Sequence, residues 1–124
     1  MSNTILAIDI GSTKISAVIA NVNHKVQILG HGVSASQGIK KGTISNIELA
    51  SKSIKSAVSD AKRVSGTNVS NAIVTISNAY AKSISSSGIV NLPNNEITIK
   101  EINRVMQTAL YNAKIPDEYE VIHV

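Results

Sequence analysis

The chain has 124 residues, twelve Lys+Arg against eight Asp+Glu, a net charge of +4 and no cysteine. That length is one domain, or one domain plus part of another, and the missing cysteine excludes disulfide scaffolds, thiolate zinc sites and cysteine nucleophiles. The basic residues are spread along the chain, the aromatics are only Tyr80, Tyr111 and Tyr119, and both arginines, Arg63 and Arg104, fall in helical patterns, so nucleic acid is not an expected partner.

The first third reads as strands. Ile5-Leu6-Ala7-Ile8 is a continuous apolar run, as a buried central strand would be. Asp9-Ile10-Gly11-Ser12-Thr13-Lys14 has turn chemistry and leads into a second strand, Ile15 to Ala20. After a turn at Asn21-Val22-Asn23-His24, Lys25 to Val33 alternates as a third strand, with Gly30 and Gly32 suggesting a bulge or bend. Three strands on short turns make an antiparallel meander.

A helix follows. Ser45 and Glu48 have capping-box spacing, and Ile47, Ala50, Ile54, Ala57, Val58, Ala61 and Val64 form one apolar stripe that Gly66 closes. Ala72 to Ser77 is then a strand, and a helix between two strands predicts a crossover that leaves it parallel to the first. The fold class is therefore α/β with a mixed sheet.

The sequence changes character near Asn78-Ala79-Tyr80, which divides the chain into 1–80 and 81–124. Ala81 to Leu92 is serine-rich and alternating, a long strand or a hairpin interrupted at Gly88. Thr98 and Glu101 form a second capping box. The helix behind it carries Ile102, Val105, Met106, Ala109, Leu110 and Ala113 on one face and stops before Pro116. Glu120 to Val124 begins another strand, and a strand at the last residue suggests a chain that has been cut. No apolar run approaches the roughly 20 residues of a membrane span, and Met1-Ser2-Asn3-Thr4 does not read as a secretory signal.

Chemistry concentrates in one place. An acid at the end of a buried strand, a Gly-Ser-Thr turn and a lysine can form a phosphate site, in which backbone N–H groups and hydroxyls of Gly11, Ser12 and Thr13 cradle anionic oxygens. Lys14 adds a point charge, and Asp9 can hold magnesium through its water shell. The same residues also suit a plain hairpin turn with Asp9 and Ser12 bonded to their own backbone. The full Walker A spacing is absent. His24, His31 and His123 lack metal-ligand spacing. No Ser/His/Asp triad or acid–base carboxylate pair is read, so no catalytic residue is assigned.

With these residues in view, the chain resembles a known family. The strand-acid-Gly-Ser/Thr-lysine start looks like the first phosphate loop of the actin/Hsp70/hexokinase ATPases, with their ribonuclease-H-like opening. Lys41-Gly42-Thr43-Ile44-Ser45-Asn46 resembles the Lys-Gly-x-Ile-x-Asp stretch of the bacterial cell-division FtsA family. So do Ile73 to Asn78, Ser85 to Val90, Glu101 to Met106 and Val121 to Val124.

The resemblance implies an actin-like, ATP- and magnesium-binding protein. Such a protein would tether FtsZ to the cytoplasmic face of the inner membrane at the division site through a C-terminal amphipathic helix. It would also polymerise and recruit other divisome proteins. Asp9 matches the magnesium-side acid, and Gly11, Ser12 and Thr13 the phosphate loop. Lys14 matches a lysine often found two positions later, where this chain has Ser16. The family's inserted subdomain would begin near Ala81. The family is roughly three times this length, in keeping with two lobes of ordinary domain size. The chain is thus expected to be an N-terminal fragment with one wall of a nucleotide cleft, inactive alone, weak or silent in ATP binding, and prone to dimerise through open strand edges. The alternatives are another actin-like ATPase, such as a pilus-assembly protein, and a small non-enzymatic binding module.

Overall fold

A computed structural model of the chain describes residues 3–77 and 80–124. Met1 and Ser2, with the Asn78-Ala79 step at which the sequence changes character, lie outside the described residues. The chain forms two compact units, Met1–Ala81 and Lys82–Val124.

In the first unit, β1 (Thr4–Ile10), β2 (Lys14–Val22) and β3 (Val26–Ala35) form the expected antiparallel meander. A short hairpin of β4 (Ile39–Lys40) and β5 (Thr43–Ile44) precedes α1 (Ile47–Ser65), and β6 (Ala72–Ile76) follows it. The four-stranded sheet runs β3-β2-β1-β6, with β6 parallel to β1. The mixed sheet is thus the predicted one. The register shifts between Ile19 and Ala20, where β2 passes β3, so the irregularity suspected from the glycines is real.

Strand alternation splits the sheet into two faces. Leu6 and Ile8 of β1, with Ile15, Ala17 and Ile19 of β2, point to the face covered by α1 and are buried. Residues of the other parity, Ala7 and Asp9 in β1 and Ser16 and Val18 in β2, are exposed or half-buried on the opposite face. The helix lies against β3 and β2. It comes so close to β3 that a Cβ on Gly30 would meet the Ala61 carbonyl oxygen at 2.4 Å, and one on Gly32 the Ala57 oxygen at 2.1 Å. Small residues on both sides make that approach possible. Accordingly the buried stripe of α1 is Ala50, Ser53, Ala57 and Ala61. Ile47 and Val64, expected in the stripe, are exposed at its ends. Ser53 is buried because its polar groups are satisfied: its Oγ accepts from the Gln37 N–H at 3.2 Å, and its carbonyl accepts from the Ser34 hydroxyl at 2.6 Å.

The start of α1 also corrects the expected cap. Asn46, not Ser45, is the N-cap, its Oδ1 accepting from the Leu49 N–H at 3.0 Å. The N–H groups of Ser45 and Asn46 both donate to the Gly38 carbonyl, at 2.8 and 3.1 Å, closing the loop around the hairpin. Gly66 ends the helix in the left-handed conformation, as expected.

The second unit contains α2 (Ile99–Asn112), opened by the Thr98–Glu101 capping box. Glu101 accepts the Thr98 N–H at 3.1 Å and also the Thr98 hydroxyl. The helix ends at Asn112, four residues before Pro116, with Ala113 extended. The segment expected to be a strand, Ala81 to Leu92, makes no ladder among the described residues, and neither does Glu120 to Val124. Alternating sequence favours extended backbone, but a strand needs a neighbour to accept its hydrogen bonds. The first of these segments passes instead along α2. The Asn112 Nδ2 donates to the Ser87 carbonyl at 3.1 Å, and a Cβ on Gly88 would meet the Val105 oxygen at 2.4 Å. The Lys82 ammonium sits 4.8 Å from the centre of the Tyr119 ring. Met106, Leu110, Ile84, Ile115 and Val121 line an open cavity of about 560 Å³ in this unit.

Two expectations follow. Gly32→Ala forces a methyl into the Ala57 backbone and should cost about 1–3 kcal/mol, read by denaturant unfolding followed by circular dichroism. The bond from the Thr98 side chain holds the Glu101 carboxyl below its ordinary value of 4.5. A depressed carboxylate contributes stability that is present above its unfolded-state value and is lost as pH falls through the folded-state value. Amide protection in Ile99–Asn112, corrected for the intrinsic pH dependence of exchange, should therefore fall on acidification below about pH 4.5, and Glu101→Gln should remove that dependence.

Candidate functional site

The loop singled out from the sequence joins β1 to β2. The ladder continues to the pair Ile10–Ile15, so Asp9 and Ile10 belong to the strand and the turn itself is Gly11-Ser12-Thr13. The Gly11 N–H donates to the Lys14 carbonyl at 3.1 Å, and a Cβ on Gly11 would stand 2.8 Å from that oxygen. The turn is therefore drawn tight at a position where a side chain would press on the loop's own backbone. Thr13 is anchored from β3's end, its carbonyl accepting the Ser36 N–H at 3.0 Å.

Ser12 has a partner that the sequence did not suggest. Its Oγ accepts the N–H of Gly42 at 2.8 Å. Gly42 and Lys41 form the two-residue turn between Lys40 and Thr43, with φ of 75° and 49°. Positive φ at both positions is what a type I′ hairpin turn requires, and it places a lysine in a conformation that non-glycine residues seldom adopt. The Lys41-Gly42 stretch, noted only as a family-like motif, is thus a hairpin bonded to the loop. As an acceptor in that bond, the Ser12 hydroxyl retains its own proton for a second acceptor.

Asp9 lies on the open face of the sheet, exposed. Its Oδ1 accepts the Thr75 hydroxyl at 2.7 Å. The two residues are direct neighbours in the parallel β1–β6 register, just as Asp9 and Ser16 are in the β1–β2 register. Lys14 opens β2 with the parity of Ser16, hence on the same face. It is not salt-bridged to Asp9: the ion pair found among the described residues is Arg63–Asp60 on α1, at 3.3 Å. The structure thus places Asp9, Gly11, Ser12, Thr13 and Lys14 at one end of the sheet and adds Thr75 and the Gly42 amide. Thr75 was read only as part of a strand. The one signal for it was that it is the sole polar side chain in Ala72-Ile73-Val74-Thr75-Ile76.

The donor set suits a magnesium-bound polyphosphate. Magnesium prefers hard oxygen ligands, keeps several waters, and is commonly held by one or two carboxylates together with substrate phosphates. Asp9 supplies one such carboxylate, and no group of three or more His, Cys, Asp or Glu forms a separate metal cage among the described residues.

A family model described as "SHS2 domain inserted in FTSA" matches residues 78–124. Similarity to curated relatives extends over nearly the whole chain. Cell division protein FtsA of Borreliella burgdorferi is 34% identical over 126 residues, covering 98% of this chain and 30% of that protein. Over nearly its whole length the chain is similar to the FtsA family. Cell division protein FtsA of Pseudomonas aeruginosa is 33% identical over 121 residues, covering 96% of the chain and 29% of the relative. For that of Neisseria meningitidis serogroup B the values are 32% over 107 residues, 85% and 26%. The chain thus spans about 30% of the length of the curated relatives it matches. That similarity supports a role in cell division. No helix among the described residues is long and apolar enough to cross a membrane.

The Ser12–Gly42 bond gives a direct expectation. A single hydrogen bond contributes about 0.5–1.5 kcal/mol net. Ser12→Ala should therefore raise the exchange rate of the Gly42 amide by roughly two- to tenfold, read by NMR hydrogen exchange, and leave the β1–β2 ladder amides unchanged.

Proposed function

We propose that the Asp9–Lys14 loop is one wall of a nucleotide site that binds the phosphates of ATP with magnesium. The observation that carries the reading is the arrangement of the loop itself. A tight Gly-Ser-Thr turn stands at the end of the sheet, with an exposed carboxylate and an exposed lysine on the same open face. Turn N–H groups and the Ser12 and Thr13 hydroxyls donate to anionic oxygens. Lys14 contributes positive charge to the same oxygens. Asp9 orients the waters that magnesium carries. Magnesium, when bound, screens the charge of the phosphates. The chain's own residues grip and orient the nucleotide, and no catalytic residue is assigned to them.

On this reading the protein acts in division as a nucleotide-responsive, actin-like scaffold. It holds FtsZ at the cytoplasmic face of the membrane, associates with its own copies and recruits divisome proteins. Similarity to the FtsA proteins supports this reading, and the roles are proposed for a whole protein of which the matched region is about 30%. Residues 82–124, within the match to the inserted SHS2 domain, are the part of the chain proposed for contacts with division partners.

In the full-length gene product, Asp9→Ala should weaken ATP binding in the presence of magnesium by about tenfold or more, as loss of a charge-assisted contact does. Affinity in EDTA should change little. Titration of a fluorescent ATP analogue with and without magnesium reads both, and equal losses under the two conditions would count against the metal role of Asp9.

A further inference from the structure

We propose that Thr75 is a positioning residue for Asp9: its hydroxyl fixes the carboxylate through Oδ1 and leaves Oδ2 to accept from the water shell of a bound magnesium ion. This inference rests on the nucleotide reading of the loop.

The observations begin with the strand. In β6 every residue but Thr75 is apolar, and in β1 Asp9 is the only charged residue. The parallel register sets these two directly beside each other, on the face that α1 leaves open. Because side chains alternate along a strand, a slip of one residue would turn Thr75 to the other face and bring an isoleucine or valine beside Asp9. The bond is short, at 2.7 Å, and runs from a hydroxyl to a carboxylate, the stronger, charge-assisted kind.

An exposed aspartate otherwise samples several rotamers. Threonine is a suitable anchor, since its branched Cβ restricts χ1 and the sheet holds its backbone. A carboxylate offers about four lone-pair sites, so one hydroxyl occupies a fraction of its capacity. What Thr75 removes is rotational freedom rather than acceptor capacity. Groups that orient a metal's direct ligands typically alter metal affinity by 10–100-fold when lost, and because Asp9 acts through the water shell the effect of Thr75 is expected at the lower end of that range.

A double-mutant cycle tests the proposal in the full-length gene product. The readout is the magnesium concentration that half-saturates enhancement of fluorescent ATP-analogue binding, with affinity in EDTA as a second measurement. Thr75→Val keeps the branched shape and strand preference but removes the donor. It should raise the half-saturating magnesium concentration about tenfold and leave affinity in EDTA within about twofold. Thr75→Ser restores the hydroxyl and should return the magnesium requirement toward that of the natural protein. In an Asp9→Ala background Thr75→Val should add nothing, since the residue acts through Asp9. If the valine variant fails to fold, Thr75→Ala read against Thr75→Ser makes the same comparison. An unchanged magnesium requirement in the valine or alanine variant, where Asp9→Ala has raised it, would overturn the positioning role and leave the nucleotide reading standing. Additive effects of the two substitutions would also overturn it. If Asp9→Ala itself leaves the magnesium requirement unchanged, the metal role of Asp9 fails, and the role of Thr75 with it.

Discussion

The first unit depends on how closely α1 can approach β3. Gly30 and Gly32 have no side chain to hold the helix away, and the helix backbone at Ala57 and Ala61 comes directly up against them. Helix backbone and strand are therefore within direct contact, and the buried stripe is made of alanines and one satisfied serine. That seating fixes the line along which the chain returns after Gly66. The return brings β6 alongside β1, parallel to it, in the register that pairs Asp9 with Thr75. A larger residue at either glycine would disturb the helix seat first and the end of the sheet through it.

The division of the sheet into a covered and an open face then assigns roles. On the covered face, isoleucine, leucine and alanine are removed from water, which is the main stabilising term available to a chain without phenylalanine or tryptophan. On the open face stand the groups that exchange hydrogen bonds with solvent or ligand: Asp9, Lys14, Ser16 and Thr75. The proposed site and the apolar core are separated by the two-residue period of the strand. The loop at the end of β1 and β2 is braced on two sides, by Ser36 through Thr13 and by Gly42 through Ser12. On the proposed reading, a loop braced in this way loses less freedom in binding an anion, so more of the contact energy would remain as affinity.

The second unit follows a different logic. Its helix is well specified, with a capping box and an apolar face, yet Met106 and Leu110 remain about half exposed beside an open cavity. The two alternating segments near it are extended without forming ladders among the described residues. Their pattern was legible, but strand formation is a property of a pair of segments, and hydropathy in one of them does not supply the other. The cap of α1 teaches a smaller lesson of the same kind. Ser45 and Asn46 are both good caps; the Gly38 carbonyl holds the N–H groups of both, and Asn46 is the one left where its Oδ1 reaches the Leu49 N–H.

Sequence alone determined the meander, the crossover helix, the parallel β6 and the loop between β1 and β2. Each is encoded locally, by the period of apolar residues or by turn residues at fixed spacing. It also marked Asp9, Gly11, Ser12, Thr13 and Lys14, because an acid, a tight turn and a lysine in succession carry a recognisable chemistry. Tertiary structure alone decided the partners of those residues. Thr75 lies 66 positions from Asp9 and Gly42 lies 30 from Ser12, and neither pairing leaves a trace in local pattern. Register across a sheet and the docking of a hairpin on a loop are set by the helix seat and the core beneath it, so they emerge only when the whole unit is packed.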